Sequence, residues 1–231
     1  MYAPDSDEPS FGEPINIIIS NASDAWVLSS QGFADYMASL NQSESCLGQV
    51  IGGSQMANLN DGKGLVNQTN IYRENFGDTS LGTCQESMVG GNHVRFWNQS
   101  TTGAIFVAAS VEQNITYGHN IVTEPYNGYD LGRDWLKNNA TAGTSTDEYV
   151  YQTSVTNRSG LLPTSSIYIN HNLSLDGIVY IFEVQARQTA TQTPEPNSAS
   201  SSIDTQHIIP LGIFASLSFI AAFSVLSLRI N

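Results

Sequence analysis

Positive charge is scarce in this chain: 8 of its 231 residues are Lys or Arg against 21 Asp or Glu, a formal net charge of −13. A surface that negative repels phosphate backbones, and no basic cluster offsets it, so nucleic acid is excluded as an expected partner. Cysteine is nearly absent too. Cys46 and Cys84 are the only two, and they form neither a CxxC pair nor a metal-type spacing, which leaves out dithiol redox chemistry and cysteine metal sites. The chain has no GxSxG elbow, HExxH pair, phosphate-binding loop or dinucleotide-binding glycine pattern; no cofactor is expected and no metal ligand is assigned. The NLNDGKGLVNQT stretch matches neither a calcium loop nor a phosphate loop and reads as a turn. The opening residues, MYAPDSDEPSFGEP, also lack the basic and apolar regions of a signal peptide. Taken with the features below, that lack predicts a reading frame that begins after the true start.

Those features point outward across a membrane. Residues 208–228 form one almost wholly apolar run, followed by Arg229 alone as a charge. About 21 residues at 1.5 Å each reach about 31 Å, enough for a bilayer core. Residues 187–207 are rich in Thr, Ser and Pro and read as an extended stalk. N-x-[ST] sequons occur at Asn21, Asn41, Asn67, Asn98, Asn114, Asn139, Asn157 and Asn172, about twice the number chance predicts for this composition. In an oxidising compartment Cys46 and Cys84 are expected to pair. The tail has two readings. It is either a retained transmembrane helix or a GPI-attachment signal, with Asn197 or Ser198 as the small attachment residue before a polar spacer. The solitary Arg229 favours the second.

Residues 1–13 are expected as a disordered tail and 14–186 as a single domain. Within the domain, 15–20 reads as a buried strand and 24–40 as a helix with Ser23 as its N-cap. Residues 46–87 read as a long irregular region. Strands are expected at 93–98, 104–111, 115–122, 149–156, 166–170 and 178–184, and a short helix at 129–139. The sum is an α+β fold, a mostly antiparallel sheet with two helices on one face.

Four features in this order, PINIIIS leading into a helix, NHVRFW, GAIFVAASVEQ, and GHNI followed by GYDLGRDWL, resemble the C-terminal domain of the bacterial LssY family. The resemblance spans residues 14–136, with an echo in 161–184, and the chain is also similar to uncharacterised secreted proteins of basidiomycete fungi. That family has no firmly assigned chemistry, so the likeness implies a fold and little function. No phosphatase-like companion domain is expected within these 231 residues.

Within those motifs lie the residues able to do chemistry. His93, His119 and Asp134 are the catalytic candidates, since His and Asp together supply an acid, a base and an orienting partner. Two His and a carboxylate could also hold a metal. Arg95, Asp130 and Arg133 are candidate binding residues, although Asp130, Arg133 and Asp134 equally suit an exposed intrahelical ion pair. His171 reads as a solvent-facing loop residue. Tyr126, Tyr129, Trp135, Tyr149 and Tyr151 either meet a sugar or protein partner or pack the sheet against its helix. The leading expectation is a membrane-anchored extracellular glycoprotein domain at the cell surface. It would be a non-catalytic binding or cell-wall-associated protein, with carbohydrate or protein as partner. The alternatives are a surface hydrolase using the His/Asp site and a cytosolic-facing tail-anchored protein.

Overall fold

The structure, a computed structural model, describes residues 2–4, 12–49 and 53–189. The anchor segment 208–228, the attachment positions Asn197 and Ser198, and the stalk beyond residue 189 lie outside these residues. Among the described residues no helix is long and apolar enough to cross a membrane.

The apolar run after Pro14 forms β3 (Ile17–Ile19), which sits in the middle of an eight-stranded sheet. The other strands are β4 (Gln42–Ser43), β7 (Asn70–Glu74), β8 (Gly91–Asn98), β9 (Ile105–Glu112), β10 (Thr144–Ser145), β11 (Tyr149–Ser159) and β12 (Ile178–Gln188), and two short pairs lie apart, β1 (Tyr2–Pro4) with β2 (Gly12–Pro14) and β5 (Met56–Asn58) with β6 (Leu65–Asn67). Sheet order is β10-β11-β12-β3-β9-β8-β7-β4. Every neighbouring pair is antiparallel except β12 with β3. The architecture is α+β with a large, mostly antiparallel sheet. β12 stays paired to β11 through Gln188, two residues into the segment read as stalk, and Glu13, in the segment read as tail, is buried.

Helices α1 (Ala25–Leu28) and α2 (Ser30–Ser39) replace the single helix expected over 24–40. The break has a local cause. Ser29 ends α1 by donating to the Trp26 carbonyl at 2.6 Å and caps α2 by accepting from Gly32 N–H at 3.0 Å, the standard role of an N-cap serine. Ser23 is not a helix cap. Its hydroxyl accepts from Val184 N–H at 3.0 Å and ties the turn to β12.

Two further helices complete the domain: α3 (Gly82–Val89) and α4 (Gly128–Ala142), the latter opened by Asn127 accepting from Tyr129 N–H at 2.8 Å. α4 lies directly on β9, and its glycines make this possible. A Cβ on Gly132 would fall 2.6 Å from the Ser110 backbone, and one on Gly128 would fall 2.7 Å from the Val111 carbonyl oxygen. One face of the sheet forms the main core with the helices, where Phe33, Tyr36, Leu136 and Ala140 pack on Ile17, Phe96, Val107 and Phe182. On the other face Trp97 and Phe106 pack with Ile15, Ala57 and Leu59. A third cluster gathers Ile121, Tyr129, Leu162, Ile169, Leu175 and Val179.

Two expected strands are not strands. In 115–122, Asn114 caps a 3-10 turn at Ile115–Tyr117, and only Ile121 bridges back to Glu112. Ile115 and Tyr117 are more than half exposed, so their alternation has no sheet to bury it. In 166–170 the backbone turns left-handed at Tyr168 (φ 64°), and only Ile169 bridges, to Gly12. The region 46–87 is conversely more ordered than its composition suggests, carrying β5, β6, β7 and α3. Cys46 and Cys84 are joined in a disulfide with a Cα–Cα distance of 5.5 Å, and Thr83 Oγ1 beside it accepts from Cys46 N–H at 2.7 Å.

Candidate functional site

Strand pairing gathers a buried polar cluster on the face opposite the main core. Arg73 on β7 stands across from His93 on β8, and His93 stands across from Ser110 on β9. One pleat further along β9, Glu112 stands opposite Gly91. Because strand side chains alternate with period two, His93, Arg95 and Trp97 share this face with Ser110 and Glu112. The missing side chain at Gly91 leaves room for Glu86 from α3: a Cβ there would lie 3.1 Å from Glu86 Cγ. His119 arrives from the turn after β9, where Gly118 and His119 are both left-handed (φ 69° and 54°) and Asn120 Nδ2 donates to the Tyr117 carbonyl at 2.8 Å.

The charges interlock. Arg73 Nη1 donates to Glu86 Oε2 at 2.7 Å and to Glu112 Oε2 at 3.2 Å, with Arg73 3% and Glu86 0% exposed. His93 Nδ1 lies 3.5 Å from Glu112 Oε1, and His119 Nδ1 lies 3.7 Å from Glu112 Oε2. Both imidazoles therefore converge on one carboxylate. Beside them Arg95 Nε donates to Glu13 Oε1 at 2.9 Å, and its Nη1 donates to the Gly53 carbonyl and to Gln68 Oε1. Several buried polar atoms here have no hydrogen-bond partner: Glu86 Oε1, both ring nitrogens of His93, Ser110 Oγ, His119 Nδ1 and Tyr129 Oη.

Burial sets the protonation states. It holds His93 well below its ordinary value, helped by Arg95, Arg73 and His119, so the ring is neutral near pH 7. Burial pushes Glu112 up to about 7, against the pull of Arg73 and with the push of Glu86 and Glu13. Glu86 is raised for the same reason, opposed by Arg73. Arg73 is raised on balance, because Glu86 and Glu112 outweigh its own desolvation. A carboxyl that ionises near neutral pH, next to a neutral imidazole, can give and take protons.

A stability prediction follows from Glu112. Between about pH 4.5 and 7 the folded chain keeps a proton that the unfolded chain has released, so stability falls as pH rises through that window, by about 3 kcal/mol. Glu86, on α3, shifts in the same direction, whereas neutral buried His93 works against it, favouring the folded chain as pH rises toward 6.5. The Glu112 share is read from chelator-treated protein as the urea midpoint at pH 5 minus that at pH 8, a difference that Glu112→Gln is expected to lower relative to wild type. Identical behaviour of wild type and variant would refute this assignment.

Of the sequence candidates, His93 and His119 come together, but Asp134 does not join them. Asp134 belongs to a second cluster centred on Arg133, where it accepts from Nε at 2.9 Å. Arg133 is 1% exposed and meets Asp176 through Nη1 at 2.6 Å and Nη2 at 2.7 Å, with Asp130 at 3.2 Å and the Tyr180 ring 4.9 Å away. This is a clamp between α4 and the turn before β12, not a solvent-facing pair within one helix. Burial lifts Asp130 to about 6, against Arg133. Tyr129 and Tyr151 are core residues, and Tyr149 stacks on Trp26 at 4.6 Å; Tyr126 is exposed. His171 is exposed in a turn.

Sequence reasoning missed Arg73, Glu86, Glu112 and Glu13. Only Glu112 left a signal: a tight hairpin over 99–104 pairs positions whose numbers sum to 203, as Asn98 with Ile105 does. That register puts Glu112 one pleat beyond Ser110, the partner of His93. Comparison with protein-family models, with curated proteins and with solved structures finds no match for this chain.

Proposed function

We propose that this chain is a glycosylated extracellular domain, tethered to a membrane by its C-terminal segment, that acts by binding a carbohydrate or protein partner at the cell surface. The observation that carries this reading is where the asparagines sit. None of the eight sequon asparagines is buried: Asn21, Asn41, Asn67, Asn98, Asn157 and Asn172 are exposed, and Asn114 and Asn139 are half-buried. The buried asparagines Asn16, Asn75 and Asn92 all fall outside sequons. A glycan needs its asparagine at the surface, a requirement that none of the eight violates. The disulfide supports the same compartment. Likeness to the LssY C-terminal domain belongs to this proposal too, resting on motifs in β3, β8, β9 and α4.

The test is glycosidase digestion of the protein expressed in its native cell from upstream genomic sequence. A downward mass shift is expected. An unshifted band together with titratable Cys46 and Cys84 thiols would instead establish the cytosolic, tail-anchored arrangement. A phospholipase specific for phosphatidylinositol separates the two anchors, since it releases only a GPI-linked domain.

A second reading, a surface hydrolase, draws support from the convergence of His93 and His119 on Glu112. In that reading Glu112 takes the acid–base role and Asp134 has none.

A further inference from the structure

We propose that Glu86, Glu112 and His119 form a site for one divalent cation of the zinc class, with one coordination position open to solvent. This goes beyond the surface-binding reading and does not depend on it.

Geometry comes first. One ligand atom from each of the three residues lies within 4.8 Å of the other two. His119 Nδ1 and Glu112 Oε2 are 3.7 Å apart, too far for a hydrogen bond. Two ligands about 2.0–2.2 Å from a shared tetrahedral cation stand about 3.3–3.6 Å apart, so a shift of a few tenths of an ångström brings His119 and Glu112 to ligand spacing, with Glu86 within 4.8 Å of both.

The unmet bonding is the second observation. Glu86 is fully buried, yet its Oε1 has no donor, and His119 Nδ1 has no partner either. His93 is fully buried with both nitrogens unpartnered, and its Nδ1 is aimed at Glu112 from 3.5 Å. Arg73 spans one oxygen of each glutamate and can neutralise only one of the two charges. A buried carboxylate oxygen and a buried imidazole nitrogen, both without partners, need a positive partner. A cation between them supplies it.

Donor chemistry selects the metal. Two carboxylates with one imidazole suit zinc or manganese, whereas calcium and magnesium favour oxygen-only shells. Three protein ligands leave a fourth position, the arrangement of reactive rather than structural zinc. The open side is the turn, where the His119 side chain is 21% exposed and that of Glu112 10%. Each ligand is held from its own element: Glu86 two residues from the disulfide on α3, Glu112 at the end of β9, and His119 by the left-handed turn. His93 is a positioning residue for Glu112, as partners of metal ligands commonly are.

The test uses the full disulfide-bonded chain, stripped with chelator and dialysed, then titrated with zinc chloride by calorimetry at pH 7.5, with metal content measured after gel filtration. One equivalent per chain is expected. His119→Asn and Glu112→Gln are each expected to weaken binding by at least about tenfold, while His171→Asn, on an exposed turn outside the cluster, leaves it unchanged. Asparagine accepts the left-handed backbone at 119, so His119→Asn decides the matter if Glu112→Gln does not fold. Absence of stoichiometric zinc overturns the proposal. So does binding that survives His119→Asn, that is lost in His171→Asn, or that magnesium or calcium matches in affinity.

Discussion

Arg73→Met is expected to destabilise the fold by about 3–5 kcal/mol at pH 8, the largest effect of any single substitution considered for this chain. The magnitude is that of removing one partner from a buried ion pair. Arg73 Nη1 is the cation that both Glu86 and Glu112 contact, and Glu86 has no exposure through which to recruit water. The effect should shrink at pH 5, because Glu112, already pushed up to about 7, can then stay neutral without the guanidinium. Pairing the change with Glu86→Leu should restore at least half of the loss, since an apolar pair leaves one fewer buried charge unpaired. Urea unfolding of the four proteins of this cycle at both pH values measures the coupling. Additive losses at pH 8 would mean that the two side chains do not support each other.

Cys46→Ser with Cys84→Ser should cost about 4 kcal/mol, because the bond spans 38 residues and restrains the unfolded chain accordingly. Part of the loss should be local. The apolar Met88 and Val89 of α3 face solvent, so the helix is held by the disulfide, the Thr83 hydroxyl and the Arg73–Glu86 pair instead of an apolar face. Glu86 lies two residues beyond Cys84. Loss of the bond should therefore weaken zinc affinity as well as stability. Thermal melts with and without reductant give the first quantity, and calorimetry gives the second. A melting temperature indifferent to reductant would show that α3 is secured by something else.

Much of the sheet was legible in the amino-acid pattern. The apolar runs of β3, β9 and β12, the alternation in β8, the β-rich residues of β11 and the amphipathic stretch of α4 are each strong enough locally that pattern and final structure agree. Legibility failed where burial came from elsewhere. Residues 46–87 carry little periodicity, yet Tyr72 and Arg73 become interior because β7 adds to the edge of β8. At 115–122 the pattern alternates, but capping by Asn114 and the left-handed Gly118 and His119 turn the chain before a strand can pair.

Local chemistry alone determined which face of β8 carries His93, Arg95 and Trp97, that α4 begins near Asn127, that two cysteines have only each other, and that eight asparagines stand in sequons. Tertiary structure alone decided what those groups meet. Arg133 finds Asp176 43 residues away, Arg95 finds Glu13 82 residues away, and Arg73 joins Glu86 to Glu112 across two strands and a helix. Side-chain period is written residue by residue along the chain, whereas strand register and helix docking are set by packing the whole domain. A cluster made from five separate elements has no local signature.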